Sequence, residues 1–393
     1  MRIRPFSVAF LCLAAALLIP ADLSGEAGSG ERSIVMTVGE NGCDFASLQE
    51  AIDAADKGCI LRLVDPVHTE ADIRVTNDVL LIGGGAEATI LQAHAEAAAS
   101  AGRIFLVEEN GSLVLDGLTL RHGHPTVCPK GGGAIINRGT VWLLRCILRE
   151  NRGQCGGAIV NEGTLYAFDS MFLDNEATGG HGKDGDRARG SGGALKNVKG
   201  WAFLSGCTIA GNLAKIHGGG LKGCCNGELR LVNCTISGNE ATKQGGAIHT
   251  RGILEVLHCT IVDNLASAYL AWIRGIARAG GIYIDGPTVL VASILAQNDG
   301  QDAYLGEKGE ILRNGFCLVG DGSIEAAWIG DPGISGLGDH GGPTWSYLPD
   351  ADSSAIDAFE GGAIVVDQRG VSRPQNSGWD LGSIELEPPG GPG

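Results

Sequence analysis

Apolar residues in this chain come in short runs broken by Gly, Asn and charged positions. One unit shows the pattern. Ala134 to Asn137 alternates, Thr140 to Leu144 is β-rich, and Cys146 to Leu148 is apolar up to Asn151. Short alternating or β-branched runs bounded by turn residues predict strands. No 3.6-residue apolar period runs through them, which makes a two-helix repeat a poor fit. Three short strands and three corners in about 24 residues predict one coil of a parallel β-helix, with coils stacked about 4.8 Å apart.

The unit repeats. Gly132-Gly133-Ala134-Ile135-Ile136-Asn137 returns as Gly156-Gly157-Ala158-Ile159-Val160-Asn161 and Gly192-Gly193-Ala194-Leu195-Lys196-Asn197. Looser copies begin at Gly218, Gly245 and Gly280. Each copy is followed by an Asn (151, 175, 212, 239, 264, 298), 17 to 20 residues after its second Gly. Between them lies a Cys or Ser: Cys146, Ser170, Cys207, Cys234, Cys259, Ser293. A fixed internal period signals a solenoid. Stacking turns such positions into ladders, so the Asn column is expected to hold turns through its side-chain amides. The Cys/Ser column lacks the paired short spacings of a zinc site and reads as small inward filler.

Composition fits one long core with many corners: 64 of 393 residues are Gly, 44% are hydrophobic and 5% aromatic. A net charge of -16 disfavours nucleic acid and anionic membranes as partners. It also sits poorly with polyanionic substrates unless a local basic groove exists. Arg2 and Arg4, the apolar run Val8 to Ile19, and Pro20-Ala21 predict a secretory signal within 1–27, with a retained membrane anchor as the alternative. No later segment is apolar enough for a spanning helix. Loss of Cys12 leaves an odd number of cysteines. Cys43 with Cys59, Cys128 with Cys155, and Cys224 with Cys225 are the oxidised partners to consider.

Residues 28–64 read as an N-terminal cap: a strand at Ile34 to Val38, then a helix over Phe45 to Ala55 with Asp44 as N-cap. Phe45, Leu48, Ala51, Ile52 and Ala55 keep helical spacing. A helix there covers the open edge of the solenoid. The strand, the Ser47 to Ala55 helix and the stretch to Thr89-Ile90-Leu91 resemble the opening of pectate-lyase-like right-handed β-helix proteins. That resemblance implies a right-handed coil; many members of the superfamily are not lyases. The Gly-Gly-Ala-Ile…Asn units resemble the repeats of polymorphic outer-membrane proteins, which implies surface display.

Three insertions fall at one point of the period: Gly123 to Lys130, Glu176 to Ser191 and Leu265 to Ala279. Stacking places them along one edge, where binding concentrates. The last carries Tyr269, Trp272 and Arg274, read as a glycan or protein contact or, alternatively, as a short amphipathic helix on the flank. The middle one holds Asp184 and Asp186 in one imperfect copy of a calcium-binding Gly-Gly-x-Gly-x-Asp pattern. Such sites need stacked copies, so calcium is the weaker alternative to no cofactor.

If the chain were an enzyme, Glu150 and Asp174 would be the first choice for its carboxylates. Each precedes its ladder Asn on adjacent coils. The alternative is a pair of solvated turn positions. Arg145 and Asp169 read as a surface ion pair. No nucleophile triad or nucleotide fingerprint is present.

From Asn314 to Glu387 the motifs change: Asp331-Pro332, Gly341-Gly342-Pro343-Thr344, Ser354 to Asp357, Asp367-Gln368-Arg369-Gly370, Arg373-Pro374 and Asp380 to Glu385. In that order they resemble the choice-of-anchor Q domain, which implies closure of the C-terminal end of a β-helix on an exported protein. Asp357, Asp367, Arg369, Arg373 and Asp380 are expected to form an ion network there.

The sequence thus predicts an all-β, right-handed parallel β-helix of about ten coils. Its segments are a signal (1–27), a cap (28–64), the solenoid (65–313), a closing segment (314–387) and a tail (388–393). The expected function is an exported, monomeric, non-catalytic, adhesin-like protein binding glycan or protein, with a polysaccharide lyase or hydrolase as alternative.

Overall fold

In the computed structural model the described residues are 35–55, 59–97, 99, 102–125, 131–179, 190–224, 226–267, 279–325 and 328–388. The signal, Tyr269, Trp272, Arg274, Asp184, Asp186, Cys128 and Cys225 lie outside them.

One coil sets the plan. Ile135–Asn137 belongs to sheet I, Thr140–Leu144 to sheet II, Ile147–Arg149 to sheet III, and the two-residue strand Arg152–Gly153 to sheet IV. Three of these strands follow the sequence pattern; the fourth is too short to show as an apolar run. Every pairing between named strands is parallel and joins equivalent positions of neighbouring coils, such as Ile135 with Ile159 and Thr140 with Thr164. Among the described residues, sheets II and III hold 11 strands each, sheet I holds 9 and sheet IV holds 5. This is a right-handed parallel β-helix.

The core is built of columns of inward residues, one of which runs Leu115, Leu143, Ala167, Leu204, Leu231 and Val256, all fully buried. Its apolar burial drives the stacking of coils. The paired glycines divide their work. Gly156, Gly192, Gly218 and Gly245 have positive φ. The second glycine is needed for close approach: a Cβ on Gly157 would lie 2.0 Å from the Gly193 carbonyl oxygen.

Both ladders are structural. The Asn175 amide nitrogen donates to Asn212 Oδ1 (3.0 Å) and to the Leu148 carbonyl (2.9 Å), while its Oδ1 accepts from Asn151 N and Nδ2. The same chain of bonds continues through Asn239, Asn264 and Asn298. A second amide ladder, Asn137 to Asn161 to Asn197, runs through the end of the Gly-Gly motif. Cys146, Cys207, Cys234 and Cys259 are buried filler whose thiols donate to carbonyls, as Cys146 does to Leu144 at 3.3 Å. Burial pushes the Cys146 thiol up to about 12.

Helix α1 is shorter than the spacing predicts, Leu48–Ala54, with Ser47 rather than Asp44 as N-cap. Asp44 instead accepts from Thr37 N at 2.7 Å, which ties Phe45 to the first strand. The Glu70 carboxylate accepts from Ser47 Oγ, Leu48 N and Gln49 N. Burial alone would raise its pKa, but bonds from His68 and these donors hold it down at about 2. Cys43 and Cys59 are free thiols, not a bonded pair.

The final section does more than follow the last coil: it doubles back along the outside of sheet III. Thr235 Oγ1 donates to Gln368 Oε1 (2.7 Å), Ser383 N donates to Thr260 Oγ1 (3.0 Å), and Thr208 Oγ1 bonds the Trp345 carbonyl. Tyr347, Ala355, Phe359 and Leu381 form a second small core with Val262, Ile294 and Leu318. The expected ion network is mostly carboxylates accepting backbone N–H groups: Asp367 from Arg369 and Val371, Asp380 from Asp357 and Leu386. Arg373, fully buried, pairs with Glu385 at 3.0 Å, a partner outside the expected set.

Candidate ligand-binding faces

The fold turns each strand's outward residues into rows along the axis, and four such places carry chemistry. Glu150 and Asp174 come first. They occupy one corner row, His122, Glu150, Asp174, Gly211, Gly238, Asp263 and Gln297, in which every residue has positive φ between 54° and 67°. Gly and Asp, which adopt this conformation most readily, fill four of the seven slots, and His122, Glu150 and Gln297 are held in it too, so the row is set by backbone geometry. The His122 ring contacts Glu150 at 2.9 Å, and Tyr347 donates to Asp263 at 2.7 Å. Burial raises the Asp174 pKa, and Glu150 adds to the rise. The two carboxylates feel each other, and they line a turn.

A parallel row, Gly117, Arg145, Asp169, Gly206, Asn233, His258, Ala292 and Phe316, also has positive φ throughout. Arg145 pairs with Asp116 at 2.5 Å, not with Asp169. Asp169 is left half-buried, and burial pushes its pKa up to about 6 against the pull of Arg145.

The insertions do share a corner. Glu176–Ala177 and Leu265–Ala266 are strands of sheet IV, so the insertions begin after them, later than the sequence suggested. Each is followed by a strand of sheet I.

Sheet II carries an aromatic row. Val114, Trp142, Tyr166, Phe203 and Arg230 are in register on successive coils. The Trp142 and Tyr166 rings stack at 4.0 Å and 23°, and the Arg230 guanidinium lies 6.0 Å from the Phe203 centroid. Tyr166 covers one face of the Trp142 indole. Its neighbour on the other side is the smaller Val114, and both are half-buried.

Sheet I carries a polar row that sequence reasoning passed over. One outward position of its strands runs Leu106, Ile136, Val160, Lys196, Lys222, His249, Tyr283 and Tyr304. The signal was present as a change from apolar to basic to aromatic at one outward slot of an aligned repeat. Lys222 Nζ lies 2.5 Å from His249 Nδ1, and the His249 ring is 4.7 Å from His217 and 4.8 Å from Tyr283. Burial, with the positive charges of Arg251 and Lys196, lowers the Lys222 pKa to about 7; burial and Lys222 lower His217 to about 3. Among the described residues no group of three or more His, Cys, Asp or Glu side chains is placed to hold a metal, and no helix is long and apolar enough to cross a membrane.

Residues 233–251 match the Chlamydia polymorphic membrane protein repeat. The fold is similar to the crystal structure of pectate lyase Pel9A, with a TM-score of 0.54 at 11% identity, over 91% of this chain and 97% of that one. At that identity the likeness shows the fold alone. No curated protein matches the chain.

Proposed function

We infer from the matched repeat that this is an outer-membrane or surface protein. We propose that the chain is an exported, adhesin-like β-helix that binds glycan as a monomer, without turnover and without a bound cofactor. The observation that carries this is the half-exposed Trp142 indole, with one face seated on Tyr166 and the other beside Val114. Sugar rings present C–H faces that pack on such a surface, and a stacked, pre-ordered ring loses little entropy on binding. The rigid coils fix its position. Tyr269, Trp272 and Arg274 belong to the proposal on sequence grounds.

A glycan array with the purified chain tests it. Trp142→Ala is expected to weaken the retained glycan at least tenfold, about 1.4 kcal/mol. Val114→Arg, which leaves the indole in place but crowds its free face, is expected to do the same with unchanged melting. Capture that neither variant alters, or release of shortened sugar by the native chain, would refute it.

A further inference from the structure

The interior ladders leave few donors unanswered; the sheet I row does not follow that rule. Lys222 and His249 are 5% and 0% exposed. With Lys222 as an ammonium, its N–H donates to His249 Nδ1, which fixes the tautomer so that His249 Nε2 carries the proton. That Nε2 is buried with no hydrogen-bond partner, and so are His217 Nδ1 and Ser191 Oγ. Ser191, His217 and Gln244 are joined by successive bridges alongside the row. A buried polar atom without a partner costs about 1–3 kcal/mol, so several together need an explanation.

Charge supplies one. Lys222 feels Arg251 and Lys196; His217 feels Lys222, Lys243 and Arg251; His249 feels Lys222, His217 and Arg251. The negative charge facing Lys222 is that of Asp285, which is already paired with Arg251 at 3.2 Å. In a protein of net charge -16, this is a local concentration of positive charge and proton donors. Toward the next coils the row becomes half-exposed at Tyr283 and Tyr304, whose rings stack at 5.2 Å, so the buried donors lie at the inner end of an aromatic strip.

We propose that Lys222, His249, His217 and Ser191 form a binding site for an oxyanion, a carboxylate, sulfate or phosphate group, whose carrier lies along Tyr283 and Tyr304. Lys222 supplies the charge, and His249 Nε2–H, His217 and the Ser191 hydroxyl supply the hydrogen bonds, a donor set suited to oxygen acceptors. The site is on a different sheet from Trp142 and stands whether or not that face binds glycan. An anion there favours the ammonium form of Lys222, so binding takes up a proton and weakens as pH rises above about 7.

The test titrates the full chain with sodium sulfate, sodium phosphate and sodium glucuronate against chloride of equal ionic strength, by calorimetry and thermal melting. Saturable binding of at least one anion is expected, with Lys222→Met weakening it tenfold or more and half-exposed His217→Gln several-fold. Between pH 7 and 9 the native affinity is expected to fall, and that fall to vanish in Lys222→Met. Sulfate or phosphate binding without glucuronate identifies a free oxyanion; tighter glucuronate binding identifies an acidic sugar. Trp142→Ala is expected to leave all of this unchanged. Should Lys222→Met not fold, His217→Gln and the native pH dependence still decide. Absence of saturable binding by the native chain overturns the proposal, as does binding that His217→Gln and the rise in pH leave unaltered.

Discussion

The Asn175 column and the Lys222 row are built by the same stacking and differ in what happens to their polar atoms. Along the Asn ladder, each amide nitrogen meets the next coil's amide oxygen and a main-chain carbonyl. Along the sheet I row, residues of like charge and mixed kind follow one another, and Lys222, His249 and His217 face each other with few acceptors. Identical neighbours can satisfy each other when a side chain both donates and accepts, as an amide does. A row that contains lysine cannot, because an ammonium only donates. Stacking therefore converts one kind of column into a brace and leaves the other in need of a counter-ion.

The largest expected effect breaks the first half of that contrast. Asn175→Ala removes a fully buried amide and leaves Asn151 N, Asn151 Nδ2 and the Leu148 carbonyl without their partner. Denaturant melts are expected to show a loss of about 1–3 kcal/mol or more, with ligand capture per folded molecule unchanged. Normal stability with lost capture would make the ladder a binding element.

The second sharpens the other half by pH. His217 has a folded pKa of about 3 against an ordinary 6.5, so the unfolded chain takes up the proton first. Its contribution is intact above pH 6.5 and is lost as pH falls toward 3. The native melting temperature is expected to drop over that window, and His217→Gln to flatten part of the drop. Lys222, at about 7 against 10.5, acts in the same sense higher up, so stability from this group rises between pH 7 and 10.5. Identical acid profiles for native and variant would show that His217 is not buried against positive charge.

The smallest effect concerns the corner row. Asp174→Gly places the residue found at Gly211 and Gly238 in a slot of positive φ. Relief of strain and the greater freedom of the unfolded chain nearly cancel, so stability is expected to change by less than about 1 kcal/mol. Glu150→Gln with Asp174→Asn is expected to leave a polysaccharide panel as inert as the native chain leaves it. Native turnover abolished by that double variant would make the corner an active site.

The repeating positions determined the architecture without help. The Gly pair, the Asn and Cys columns and the three strands are dictated by close approach, by φ and by inward packing, and these requirements recur on every coil. The same logic anticipated that Glu150 and Asp174 share a slot. It missed that Arg145 would choose Asp116 over Asp169, because both acids sit one coil away and only the actual side-chain paths decide. It misplaced the cap of α1, because Asp44 and Ser47 are both good cap residues and the Thr37 pairing selected between them.

What the tertiary structure alone decided lies on the outward positions. Lys222, His249 and Tyr283 come from three coils, and Gln368 reaches Thr235 across 133 residues. Outward side chains are free of the period that fixes the inward ones, so their neighbours are set by register and by what folds back over them. The sequence by itself therefore determined a parallel β-helix and its braces; the structure decided which faces have unanswered chemistry.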